Sequence, residues 1–88
     1  MATKKTPEGF VDIELSREVE MDGAKVKALR MREPTVGDQL AADEMKGGEA
    51  AKEISVFANL CEVSPEDIKK LTLKDYKKLQ AAFVGFIA

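Results

Sequence analysis

The feature that most constrains this chain is a change of period at Arg32-Glu33-Pro34-Thr35-Val36-Gly37-Asp38. Before it, apolar and polar residues alternate; after it, apolar residues recur at helical spacing. Pro34 disfavours helix at Glu33, and Thr35 with Asp38 three positions on can satisfy free amides of a first helical turn. A strand is expected to end here and a helix to begin.

Upstream, Val11, Ile13 and Leu15 fall on one face, with Asp12, Glu14 and Ser16 on the other. The alternation continues to Val19 and Met21. Asp22-Gly23 then accepts the positive φ angles of a type I′ turn, and a second β-compatible run follows from Lys25 to Arg32. A two-residue turn sets Val19 opposite Val26, Glu20 opposite Lys25 and Glu18 opposite Lys27. Continued strictly, that register puts Leu15 opposite Arg30, although Leu29 and Met31 are the apolar residues of the lower second strand. One extra residue is therefore expected, as a β-bulge near Lys27-Ala28 that exchanges the face of the second strand. A lone hairpin is not stable in water, so its apolar face must rest on helices.

Downstream, four helical segments are expected. Residues 35–45 place Val36 and Leu40 in line, with Ala41 and Ala42 as close-packing positions, and Gly47 or Gly48 can supply a left-handed cap. Gly37 in the first turn is either a tolerated glycine or the mark of a close backbone approach. In residues 49–62, Ala50, Ile54, Phe57, Ala58 and Cys61 share one face, opposite Lys52, Ser55, Asn59 and Glu62. Ser64-Pro65-Glu66-Asp67 is a strong helix start for residues 65–71, with Ile68 and Leu71 inward. Thr72-Leu73-Lys74-Asp75 repeats the capping pattern and opens residues 73–87, whose apolar arc is Leu73, Tyr76, Leu79, Phe83, Phe86 and Ile87. The fold class is α+β: an N-terminal β-hairpin packed on a small bundle of three to four α-helices. Residues 1–9, polar and carrying Pro7 and Gly9, form an expected flexible arm before a single domain at 10–88.

Composition removes several function classes. A chain of 88 residues has room for one modest core. A net charge of −2 lacks the basic excess that a nucleic-acid backbone demands. One Cys forms no internal disulfide, no apolar run is long enough for a membrane helix, and the start lacks a signal-peptide core, so a cytoplasmic location is expected. Without His, and with a single Cys, no zinc site of the usual ligands and no imidazole base can be built. The identifiable carboxylates fall at caps or on polar faces. Gly47-Gly48 precedes Glu-Ala-Ala, not the sequence of a phosphate loop. No catalytic, cofactor or metal residue is therefore expected, and Cys61 reads as a packed thiol.

Two surfaces stand out. Lysines between Lys69 and Lys78 form either a solvated face or a docking patch for an acidic partner. Residues 81–88 contain no polar side chain, more than one buried face requires, so part of the run is either core or a partner or self-association surface on the C-terminal helix.

Asp22-Gly23, Leu29 to Ala42, Leu60, Ser64-Pro65-Glu66-Asp67-Ile68 and Leu73 to Gln80 together resemble the tail assembly chaperone family of Mu-like and related long-tailed phages. The most specific part is Arg32 to Asp38. The resemblance implies a non-enzymatic protein of the host bacterial cytoplasm, absent from the finished virion. Such a protein coats the tape measure protein, keeps its helical and apolar segments soluble and recruits tail tube subunits. In many such phages a ribosomal frameshift adds a longer product. The expected contact residues are Val36, Leu40, Phe83, Phe86 and Ile87, with Lys74, Lys77 and Lys78 steering an acidic client. A structural tail or head-completion protein retained in the virion is the first alternative. A helix-turn-helix nucleic-acid binder built on Pro65–Leu71 and Leu73–Phe86 is the second.

Overall fold

Residues 9–88 are described here from a computed structural model. Strands β1 (Phe10–Met21) and β2 (Ala24–Arg32) form an antiparallel two-stranded sheet, followed by α1 (Val36–Asp43), α2 (Glu49–Cys61), α3 (Pro65–Ile68) and α4 (Leu73–Ile87). This is the expected α+β hairpin-and-helices architecture. The expected flexible arm lies outside the described residues except for Gly9, whose carbonyl accepts the Glu33 N–H at 2.8 Å and prolongs the ladder.

At the hairpin tip, Asp22 and Gly23 take φ of 53° and 83°, the two left-handed residues of a type I′ turn. Val19 pairs with Val26 and Glu20 with Lys25, and the Glu18 carboxylate lies 3.8 Å from Lys27 Nζ. Below this the expected irregularity occurs, but in the other strand and larger. Pairing resumes at Glu14 with Ala28, so the four residues Leu15 to Glu18 stand against Lys27 alone, three more than the ladder needs. An odd excess still exchanges the face of β2. It brings Ile13 against Leu29 and Val11 against Met31, and Ile13, Leu29 and Met31 are buried.

The excess sits in β1 because α4 holds it there. Ser16 donates its N–H to both oxygens of Asp75, at 2.9 and 3.0 Å, and its hydroxyl to Oδ2 at 3.0 Å. Lys78 Nζ donates to the Glu14 carbonyl at 2.8 Å, and Lys70 Nζ donates to the Glu20 carbonyl at 2.7 Å. Polar backbone groups along the outer edge of β1 thus find partners on α4 and the turn before it, which blunts that edge against further pairing. Burial pushes the Asp75 carboxyl up, but the bonds from Ser16 and Lys78 outweigh it and the net shift is downward.

The core lies between the hairpin's inner face and α2, α3 and α4. Phe57, Leu60, Ile68 and Leu79 join Met31 and Ile13 there, and the Phe57 ring packs at 5.6 Å from Tyr76 and 5.8 Å from Phe83. Several helix limits differ from expectation. α1 closes at Asp43 with Glu44 as its cap, before either glycine, because Met45 N–H already bonds back to Ala42. α3 is a single turn, ending at Ile68. On α2 the buried face includes Leu60 and leaves Ala50 exposed. On α4, Leu73 and Ile87 lie outside the core at 77% and 61% exposure.

Candidate protein-docking surface

The period-breaking segment is a joint. Thr35 caps α1 by accepting the Asp38 N–H at 3.2 Å, while the Asp38 carboxylate takes the Thr35 N–H at 2.8 Å, a closed capping box. The same carboxylate takes a two-pronged contact from Arg32 at 2.8 and 3.0 Å and the Asn59 amide at 3.3 Å. One carboxylate therefore ties the end of β2, the start of α1 and the body of α2. The Arg32 bonds are the main reason that its carboxyl titrates well below the usual range. A Cβ at Gly37 would meet Thr35 Oγ1 at 3.6 Å, an ordinary contact, so Gly37 is a tolerated glycine.

Beyond this joint α1 is thinly attached. Ala42 is its one buried residue, and Val36 and Leu40 point outward at 79% and 59% exposure. At the far end of α4, Phe83 and Phe86 pack partly on the core while Val84 and Ile87 stay exposed. Between α1 and this end of α4 runs a groove of about 320 Å³, lined chiefly by Pro34, Val36, Ala42, Val56, Phe83 and Ile87. A second hollow of about 360 Å³ continues it over Ala42, Val56 and Phe83 to Asp43, Glu49 and Glu53.

Expected contact residues of α1 and of the C-terminal helix thus meet: Val36, Phe83 and Ile87 line one groove, and the lysine face takes no part in it. Leu40 and Phe86 are not in its lining. Lys74 and Lys77 are exposed on the first half of α4, at its other end from Ile87. Lys78 is turned onto the bulge, 3.5 Å from Asp75 and bonded to Glu14. Sequence reasoning missed the acidic rim of Asp43, Glu49 and Glu53, since the carboxylates are scattered over α1 and α2 and only the fold gathers them.

The groups with shifted acidity are held inert. Burial pushes the Cys61 thiol up to about 11, so it is protonated and packed. Tyr76 donates to Glu53 at 2.6 Å, and burial together with that carboxylate raises its phenol. Among the described residues no cluster of three metal-ligating side chains occurs and no helix is long and apolar enough to cross a membrane. What the groove offers is apolar contact area edged by carboxylate charge, the makings of protein recognition.

No curated protein and no solved structure matches the chain. Over residues 12–88 it matches a family model described as "Phage tail assembly chaperone proteins, E, or 41 or 14". With that match spanning both the hairpin and all four helices, the chain belongs to the phage tail assembly chaperone family.

Proposed function

We propose that this chain binds the tape measure protein of a long-tailed phage in the host cytoplasm, keeps it soluble and recruits tail tube subunits, without a catalytic step and without staying in the virion. The observation that carries the reading, beside family membership, is the open groove between α1 and α4 with exposed apolar side chains on both walls. A chaperone for a long helical client needs apolar area of this kind, reversible and bordered by charge. Val36, Phe83 and Ile87 supply the contact, with Leu40 and Phe86 beside them. The ammonium groups of Lys74 and Lys77, which have no ion-pair partner among the described residues, are free to meet acidic groups of a partner, whereas Lys78 has internal duties.

Co-expression with the tape measure protein of the same phage tests this. The wild-type chain is expected to move that protein into the soluble fraction and to be retained with it on a column. A double variant Val36→Asp, Ile87→Asp, or a chain ending at Ala82, is expected to lose both effects. If the wild-type chain leaves the solubility of the tape measure protein unchanged, the assignment fails. Mass spectrometry of purified particles separates the chaperone from a retained tail component.

A further inference from the structure

We infer that the outer edge of β2 receives an extended acidic segment of a partner protein, which joins the hairpin as a third strand. The proposal goes beyond the α1–α4 groove, whose lining includes neither Ala28 nor Arg30. It starts from a difference between the two edges of the sheet. The Glu33 N–H bonds to the Gly9 carbonyl across the ladder, so by alternation Met31 and Leu29 turn their backbone groups toward β1. The N–H and C=O groups of Ala28, Arg30 and Arg32 turn the other way. Among the described residues they bond to nothing, and Ala28 and Arg30 are exposed. On β1 the outward groups are met: Lys78 donates to the Glu14 carbonyl, Asp75 accepts from the Ser16 N–H and Lys70 donates to the Glu20 carbonyl. One edge is closed and the other is open.

Charge says what the open edge admits. β1 carries four carboxylates against Arg17, whereas β2 carries Lys25, Lys27, Arg30 and Arg32 and no carboxylate. The layers therefore alternate in sign: Lys70 and Lys78 lie on acidic β1, and β1 pairs with basic β2. The next layer in that order is acidic. Arg30 is already posed for it, with Asp12 Oδ1 at 2.8 Å from its Nε, its guanidinium 5.7 Å over the Phe10 ring and its side chain still 51% exposed. In such an addition the backbone bonds supply affinity, and side-chain charge selects the strand. A second copy of this chain does not fit: its β2 brings like charge to the edge, and the outer edge of its β1 is held by Asp75, Lys70 and Lys78. Basic residues on an edge strand turn away other basic strands. An acidic one meets no such barrier.

Synthetic peptides test the inference on the full chain, with no tape measure protein present, so its outcome is separate from that of the client assignment. The probe is a peptide of about nine residues in which glutamate alternates with valine, long enough to pair along the edge. It is expected to bind by fluorescence anisotropy and to slow hydrogen exchange at the Ala28, Arg30 and Arg32 amides. Binding is expected to weaken about tenfold or more between about 0.05 and 0.5 M salt. The same peptide N-methylated at every second residue keeps its charge but cannot pair as a strand, and a lysine-for-glutamate peptide pairs but carries the wrong sign. Neither is expected to bind. Ala28→Pro removes one outward N–H on an edge strand, where proline is tolerated, and is expected to lose the glutamate peptide while far-UV circular dichroism matches wild type. If that variant fails to fold, the N-methylated peptide still decides the matter on the wild-type chain. A glutamate peptide that does not bind, that binds equally well when N-methylated, or that protects α1 instead of β2 overturns the proposal.

Discussion

Asp75→Asn is the sharpest test of how the hairpin is fixed to the helices. The carboxylate is fully buried and takes three hydrogen-bond contacts from Ser16, with Lys78 Nζ 3.5 Å away. Asn has the same shape. Its oxygen can keep the Ser16 N–H and its amide can turn to the Ser16 hydroxyl, so the bonds persist as neutral ones and Lys78 loses its counter-charge. Bonds to a charged group contribute about 1.5–3 kcal/mol each and neutral ones about 1. Weakening two of them, less some relief from desolvating a charge, gives an expected loss of about 2 kcal/mol. With no Trp in the chain, far-UV circular dichroism is the probe for urea unfolding. At a slope of about 1 kcal/mol per molar, the midpoint is expected to fall by about 2 M. The melting temperature is expected to fall by roughly 8–16 °C.

The same variant changes the response to acid. The folded Asp75 carboxyl titrates below its ordinary range, so its contribution to stability is present above about pH 4, the unfolded value. That contribution is lost as pH falls through the folded value. Wild type should therefore lose stability below about pH 4 more steeply than Asp75→Asn does. Hydrogen exchange at the Ser16 amide gives a local readout, expected to accelerate in the variant. A stability change under about 0.5 kcal/mol, with Ser16 exchange unaltered, would refute the view that this carboxylate holds the bulge.

Gly37→Ala is expected to stabilise the chain by up to about 1 kcal/mol, because a Cβ there meets only an ordinary contact and Ala favours helix; thermal melts check it. Glu62, the α2 cap, sits at φ 58°, where a side chain is strained, so Glu62→Gly should raise stability by about 1 kcal/mol in urea titrations. Arg32→Met should cost about 1–2 kcal/mol and speed amide exchange across α1, since it removes the two-pronged contact to Asp38. Cys61, protonated up to about pH 11 in the folded chain, should react with iodoacetamide at pH 8 far more slowly than the unfolded chain does, measured by mass spectrometry.

Local chemistry was legible in the sequence and distant partners were not. Asp22-Gly23 fixes the turn, and the turn fixes the first pairs, because each step depends on neighbours in the chain. Thr35 with Asp38 and Ser64 with Asp67 close as reciprocal caps, as their spacing indicates. Thr72 with Asp75 has the same spacing, and Thr72 does accept the Asp75 N–H at 3.1 Å. The Asp75 carboxylate, however, goes to Ser16, 59 residues away, and no local pattern announces that. The bulge was misplaced for the same reason, since a strand's own alternation cannot say which strand carries the excess. At the candidate surface, surplus apolar residues on α4 indicated that something would be left uncovered. That Leu73 would be uncovered at one end and Ile87 at the other depends on what the other elements pack against, which the helix's own sequence does not state.

The residues that tie the elements together and those that form the exposed surfaces meet different physical demands, although both occur in the segments that carry the family resemblance. Asp22-Gly23, Arg32, Thr35 and Asp38, Ser64 and Asp67, and Asp75 each sit where the chain changes direction or one element is tied to another. They have strict geometric demands: a positive φ, a cap, a two-pronged ion pair, a buried acceptor. Val36, Leu40, Leu73 and Ile87 face outward from the elements that these joints position. Their demands come from whatever covers them. Because the Asp38 carboxylate bonds β2, α1 and α2 together, the angle at which α1 stands off α4 depends on it, and so does the width of the groove. Loosening that joint with Arg32→Met should therefore weaken capture of the tape measure protein while every groove side chain remains in place. A variant that loses its α1 protection yet solubilises the client as wild type does would show that the groove is not where the client binds.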